Sequence, residues 1–131
     1  YHPKWSYEIL MRNRHLRPCA EIALGHHRSY DGREGYPLSY DNCHSRYRIL
    51  IDILSICDSM DAATDAFGRN YTRGKTFEKV FREFEANKGT RYNPEIIDFI
   101  RSDEALFAQL KEITSKEARG DFYYHIYRKY R

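Results

Sequence analysis

The sequence feature that most restricts the fold is a histidine pair followed closely by a glycine-rich turn. His26 and His27 end a segment with helical apolar spacing, and residues 28–37 then read RSYDGREGYP. Glycine and proline at this density interrupt regular structure and require a particular backbone path. Two imidazoles held beside such a turn are candidate metal ligands, whereas a histidine pair at a helix end is, taken alone, more often solvated.

Length and composition favour a single globular domain. The chain has 131 residues, 41% of them apolar, which is enough to bury a core without disulfides. Its three cysteines, Cys19, Cys43 and Cys57, lack the paired spacing of a zinc site and favour a reducing, cytoplasmic setting. A net charge of +3 is too small to indicate nucleic-acid binding by bulk charge. No segment approaches the roughly 20 apolar residues of a membrane span.

Apolar periodicity predicts an all-α fold. We expect helices from His2 to Asn13, from Cys19 to His27 and from Ser45 to about Phe67, with later helices capped by Thr76, Asn93 and the segment 102–104. The predicted core positions of the last four helices are Ile49, Ile53, Ile56, Cys57, Met60 and Phe67; Phe77, Val80, Phe81 and Phe84; Ile96, Ile97, Phe99 and Ile100; and Leu106, Phe107, Leu110 and Ile113.

Three carboxylates follow a second face of the longest predicted helix. Asp58, Asp61 and Asp65 are spaced i, i+3 and i+7, so their side chains lie close together. Such carboxylates repel one another unless a cation neutralises them. A bound metal ion or neighbouring lysine and arginine side chains with solvent would both meet this need.

Two further segments leave alternatives open. Residues 29–44 are predicted to form a long loop, whose Tyr30, Tyr36 and Tyr40 could stack on a base or pack internally. Residues 121–131 mix aromatic and basic side chains. They would suit contact with RNA or anionic lipid, although a packed terminal helix with a basic edge is the more common outcome.

Several segments together resemble the HD-GYP family. Residues 26–37 are similar to its signature HHExxDGxGYP, with Arg28 in place of the glutamate and with Arg33 and Glu34 where one residue is usual. Residues 2–10 resemble HPxxGxxIL and residues 57–64 resemble ADxxDALT. Residues 68–71 stand in place of DRPY, and residues 76–95 are similar to the closing pattern SxEEA…G…FDPxLV. Asp52 stands where the family commonly has an arginine.

The resemblance implies a fold and a set of site residues. The implied fold is part of an HD-domain-like helical bundle with the GYP motif on a long loop. Residues 1–101 would form the C-terminal part of the domain, with 102–131 as additional helices packing on it. The implied metal ligands are His2, His26, His27 and Asp58, and the implied catalytic residues are Asp61, in a supporting role, and Arg69, on phosphate. The implied substrate-binding residues are Asp31, Gly32, Gly35, Tyr36, Pro37 and Tyr71.

The resemblance also implies an activity. HD-GYP domains use iron or manganese to hydrolyse cyclic di-GMP, and they work in bacterial signalling with proteins such as GGDEF domains. Further family ligands precede the HPxxG segment, so the four ligands here would hold one ion, and we expect little activity from this chain alone. One alternative is a catalytically degenerate signalling or interaction module; another is a helical domain that binds RNA or lipid. The oligomeric state is left open.

Overall fold

The computed structural model describes residues 1–67 and 74–130 and confirms an all-α fold. Within these residues the chain forms a short 3₁₀ helix at Arg14–Leu16 and seven α-helices: α1 His2–Met11, α2 Arg17–Gly25, α3 Arg48–Thr64, α4 Phe77–Ala86, α5 Pro94–Ser102, α6 Glu104–Ile113 and α7 Lys116–Lys129. No helix in the described ranges is both long and apolar enough to cross a membrane.

The later helices begin where their capping residues predict. Thr76 and Asn93 accept hydrogen bonds from the backbone N–H groups of Lys79 and Glu95, as predicted. Asp103 caps α6 in the same way, and Pro94 occupies the first turn of α5, where its missing N–H group costs no hydrogen bond.

The core is built around the aromatic face of α4. Phe77, Val80, Phe81 and Phe84 are all buried, as their spacing predicts. They pack with Ile56 and Met60 from α3 and with Ile97 and Ile100 from α5. The Phe107 ring of α6 covers this face from outside, with its centroid 5.0 Å from that of Phe81 in an edge-on arrangement.

The core-facing side of α3 differs from the prediction. Ile56 and Met60 are buried, but Ile49, Ile53, Cys57 and Phe67 are exposed, and Phe67 lies beyond the end of the helix. Besides Ile51, the buried residues of α3 are Asp52, Ile56, Met60 and Thr64, at four-residue intervals. The predicted set combined residues from two adjacent faces of the helix, and only the face with Ile56 and Met60 joins the core.

Two other predicted core positions are also wrong. Phe99 of α5 is 59% exposed and Ile113 of α6 is 61% exposed. Each lies at the edge of an apolar stripe whose centre is covered: Ile97 and Ile100 are buried, and Leu106, Phe107 and Leu110 are half-buried. Helical spacing groups these residues on one side but does not define how wide the covered strip is.

The segment between α2 and α3 is irregular, as predicted, and it is bonded to the turn before α5. Tyr30 N–H donates to the Arg91 carbonyl at 3.0 Å, and Asp31 N–H donates to the Thr90 carbonyl at 2.9 Å. Asn42 is fully buried and its amide donates to the Ser29 carbonyl. These bonds hold the loop against the turn that precedes α5.

Candidate metal centre

Three histidines from two parts of the chain meet at one point. His2 opens α1, and His26 and His27 directly follow the last residue of α2. The Nε2 atom of His2 lies 3.3 Å from that of His26 and 3.0 Å from that of His27. Two nitrogens that bind one ion at ~2.0–2.1 Å in a tetrahedral arrangement are about 3.3 Å apart. The cluster therefore has the spacing of a ligand set.

Backbone geometry selects the ligating atom of His26. Its Nδ1 atom lies 2.7 Å from the Ala23 carbonyl oxygen, one turn back in α2. An N–H group at Nδ1 that donates to this carbonyl leaves Nε2 with its lone pair free. Since Nε2 is the atom that faces His2, the lone pair is directed into the cluster.

His27 is held in its neutral form. Its ring stacks on Tyr36 of the GYP segment, with centroids 4.7 Å apart and planes 23° from parallel. Burial, and then the neighbouring His26, lower the pKa of His27 from 6.5 to about 4, while Asp58 acts in the opposite direction. A neutral imidazole at neutral pH is the form that can bind a metal ion.

Asp58 lies at the edge of the cluster. Its Oδ2 atom is 3.9 Å from Nε2 of His27, and its side chain is 42% exposed. The ligand atoms of the three histidines all lie within 4.8 Å of one another. The donor set is thus three imidazole nitrogens with one nearby carboxylate, and such donors suit zinc, iron or manganese.

The loop that presents Tyr36 is closed around Arg28. This side chain is buried and donates to the carbonyl oxygens of Gly32, Glu34 and Gly35. Gly35 has a φ of +86°, and a Cβ atom there would lie 1.9 Å from the His27 carbonyl oxygen. Only glycine fits this close approach of the loop to the histidine pair.

The other predicted loop residues have structural roles or border cavities. Asp31 accepts hydrogen bonds from the Ser29 hydroxyl and the Arg33 N–H group, and the former is the main reason that its pKa is lowered. Gly32 has a φ of +72°. Pro37 follows a cis peptide bond and borders an outer cavity with Tyr36.

Asp61, one of the two predicted catalytic residues, does not lie at the cluster. The Asp61 side chain is 73% exposed and accepts a hydrogen bond from Arg119 of α7 at 2.9 Å, on the side of α3 that faces α7. Arg69 and Tyr71 lie outside the described residues. The roles predicted for these three residues stay predictions.

Two cavities adjoin the cluster, and they include residues that the sequence did not point to. One has a volume of about 240 Å³ and lies on the loop side; the other, of about 580 Å³, lies between α3 and α4. Both are bordered by His27, Ser59 and Arg91. Arg91 precedes the segment that resembles FDP, and no spacing rule marked it as part of a site.

Comparison with known proteins identifies relatives over most of the chain. A cyclic di-GMP phosphodiesterase of Thermotoga maritima is 36% identical over 86% of this chain. The cyclic di-GMP phosphodiesterase response regulator RpfG of Xanthomonas campestris is 30% identical over 83%, and a 3′3′-cGAMP-specific phosphodiesterase of Vibrio cholerae is 28% identical over 76%. No protein-family model matches the chain.

The matched region is a small part of each relative. The chain spans 28% of the length of the Thermotoga and Xanthomonas proteins and 18% of the Vibrio protein. These matches and the motifs in residues 2–95 support the same family assignment. The chain belongs to the HD-GYP domain family.

Proposed function

We propose that this chain is part of a metal-dependent phosphodiesterase of the HD-GYP type, and that its substrate is a cyclic dinucleotide, with cyclic di-GMP the first candidate. The observation that carries the proposal is the meeting of His2, His26 and His27 beside Asp58. The names of the relatives support the reaction class and the type of substrate.

The histidines and Asp58 would have different roles in binding the ion. The histidines would bind through nitrogen, and Asp58 would add a negative charge that offsets the charge of the cation. A divalent ion held there would supply a water molecule of lowered pKa as a nucleophile for phosphodiester hydrolysis. Tyr36 would keep the His27 ring in place through its stacking contact.

The 580 Å³ cavity is a suitable place for the body of a substrate. It is bordered by His27 and Asp58 and by the cations Lys75 and Arg91. Lys75 is paired with Glu83 at 2.7 Å, so Arg91 is the better placed of the two to attract a phosphodiester. Tyr92 adds an aromatic side chain to the lining, although it is buried against Phe84.

Metal binding is the first test. The chain is loaded with manganese or iron, and bound metal is measured after dialysis for the wild type, for His26→Gln and for His15→Gln. His15 is an exposed histidine outside the cluster and serves as a matched control. We expect His26→Gln to lose the metal, and the wild type and His15→Gln to retain it. Equal retention by His26→Gln and the wild type would contradict the proposed centre.

Cleavage of cyclic di-GMP by the metal-loaded chain is the second test. Little turnover is expected from this chain alone, since it has four of the family's ligands. Metal binding without turnover even by a longer protein with the remaining ligands would favour the alternative of a degenerate signalling module.

We also propose that residues 1–101 form the C-terminal part of an HD-GYP-like domain, with 102–131 as additional helices. Leu106, Phe107 and Leu110 pack against the core, which supports this arrangement. The alternative of RNA or lipid binding through residues 121–131 stays a prediction; salt-dependent RNA binding that is lost on deletion of this segment would favour it.

A further inference from the structure

The smaller cavity beside the histidine cluster has an unusual lining. It has a volume of about 240 Å³, roughly eight times the share of one water molecule in the liquid. Besides His26, His27 and Tyr36, its polar lining includes the guanidinium groups of Arg28 and Arg91 and the hydroxyl groups of Ser55 and Ser59, and Glu34 is its one carboxylate. Positive charge and hydroxyl donors therefore dominate this space.

Arg28 is a buried cation without a counter-ion in the described ranges. It is 7% exposed, and its terminal nitrogens donate to carbonyl oxygens of the loop rather than to a carboxylate. Its Nε atom is buried and has no hydrogen-bond partner among the described residues. Burying an unpaired charge is unfavourable, and an anion in the adjoining cavity would offset that cost.

Arg91 brings a second cation to the same cavity. Its backbone is fixed to the loop, because its carbonyl accepts from Tyr30 N–H at 3.0 Å. Its guanidinium group lies over the Tyr92 ring, 5.5 Å from the centroid, and forms no ion pair within residues 1–67 and 74–130. A guanidinium group with unused N–H donors can bind two oxygens of one phosphate.

We propose that this cavity is a binding site for a phosphate-type oxyanion, with Arg91 as the direct ligand, Arg28 as a buried charge behind it, and Ser55 and Ser59 as hydroxyl donors. The site is separate from the histidine cluster but borders it through His26 and His27. A cyclic dinucleotide carries two phosphodiesters, so one could lie at the metal while the other lies here. That assignment rests on the proposed function; the oxyanion site itself does not.

Phosphate titration of the metal-free protein tests the site. Inorganic phosphate is titrated calorimetrically in the presence of EDTA, with ionic strength held constant by sodium chloride, into the wild type, Arg91→Gln and Arg82→Gln. Arg82 is an exposed arginine of α4 that borders neither cavity, so its variant controls for the loss of one charge. We expect saturable binding by the wild type and by Arg82→Gln, and at least a tenfold weaker affinity in Arg91→Gln.

Two results of this titration would contradict the oxyanion site. Absence of saturable binding to the wild type, or an unchanged affinity in Arg91→Gln, would overturn the proposal. Arg28→Gln removes the bonds that close the loop and is expected to disorder it, so the decision depends on Arg91.

Competition then identifies the source of the oxyanion. Displacement of phosphate by cyclic di-GMP would assign the site to a substrate phosphodiester, whereas saturable phosphate binding without displacement would assign it to free phosphate. Both outcomes support the oxyanion site. Failure of the proposed phosphodiesterase activity would leave the phosphate titration unchanged, so the two proposals can fail separately.

Discussion

At the scale of single residues, each histidine of the cluster is fixed by a different kind of neighbour. His26 is oriented by a backbone carbonyl, His27 by an aromatic ring, and His2 by its place at the start of α1. This arrangement holds the rings of His26 and His27 through contacts outside the cluster. It does require that the loop carrying Tyr36 keeps its path.

The pH dependence of stability should report the low pKa of His27. In the unfolded chain this group titrates near 6.5, but in the fold near 4, so the unfolded state binds more protons between these values. The free energy of unfolding of the metal-free protein should therefore fall as pH decreases from 6.5 to 4. Because the side chain is partly exposed, we expect a contribution of about 1 kcal/mol.

Urea unfolding with EDTA at pH 7 and pH 4.5 measures this effect. The loss on acidification should be smaller in His27→Gln than in the wild type and unchanged in His15→Gln. An identical pH dependence in all three proteins would show that the pKa of His27 is not lowered in the fold.

Replacing Gly35 by alanine should destabilise the fold much more than replacing Gly89, although both glycines have a positive φ angle. Gly35 and Gly89 have φ values of +86° and +80°, but a Cβ atom at Gly89 would meet nothing within 4 Å. Gly89→Ala should therefore cost only the strain of the left-handed conformation, about 1 kcal/mol. Gly35→Ala should cost at least about 2 kcal/mol more, because the His27 carbonyl must move. Urea unfolding of both variants gives the comparison, and equal losses would contradict it.

The resemblance identified the three histidines as candidate metal ligands. It did not identify the arginines around them as site residues. His2, His26 and His27 belong to motifs with fixed letters, so the resemblance was sufficient to select them. Arg28 was visible as a departure from the motif, yet its three bonds to loop carbonyls depend on a backbone path that spacing does not define. Arg91 reaches the site through pairing of two loops, which is a tertiary contact.

At the scale of secondary structure elements, α3 carries a polar group in its core stripe. Asp52 is 5% exposed, accepts a hydrogen bond from Arg48 at 3.2 Å and another from the Asn93 amide at 2.9 Å. Asn93 also caps α5. The carboxylate therefore links α3 to the start of α5, and Arg48 extends the link to the Tyr30 carbonyl.

Asp52→Ala should be strongly destabilising. It leaves Arg48 without its carboxylate and the buried Asn93 amide without its acceptor, a loss of about 3 kcal/mol. Asp98→Ala is a suitable comparison, since Asp98 is exposed and pairs with Lys88 at the surface. That pair should contribute less than about 1 kcal/mol. Chemical denaturation measures both, and a small loss in Asp52→Ala would contradict the linking role.

Helix positions could be predicted well, whereas helix orientation could not. Capping residues and proline are local signals, and they correctly gave the starts of α4, α5 and α6. Which of two neighbouring apolar stripes is buried depends on where the partner helices lie. In α3 the side chain of Asp52 is buried and that of Ile53 is exposed. Residue polarity alone would have predicted the opposite.

At the scale of the whole molecule, the helices at the two ends of the chain are more exposed than those at the centre. Among α1 residues only Pro3 is buried, and Trp5 and Ile9 are more than half exposed. At the other end no α7 residue is buried; Arg119 bonds to Asp61 and Thr64 of α3, and Tyr123 to Asp65. Residues 2–10 of α1 match a family motif, but the motif does not indicate how much of that helix is buried.

Metal binding should therefore couple α1 to the rest of the molecule. The proposed ion joins His2 of α1 to His26 and His27, and at a free concentration of 100 times its dissociation constant it stabilises the bound state by about 2.7 kcal/mol. Opening of α1 requires loss of the His2 ligand, so amide exchange in α1 should slow with added manganese or iron, by up to about 100-fold if this ligand is indispensable. Exchange in the α4 core should change less than exchange in α1. Hydrogen-exchange mass spectrometry with and without metal measures both regions in one experiment. His2→Gln should abolish the metal-dependent protection of α1, and His15→Gln, in the neighbouring 3₁₀ helix, should preserve it. Equal protection of α1 in His2→Gln and the wild type would mean that the ion, if bound, is held without the N-terminal helix.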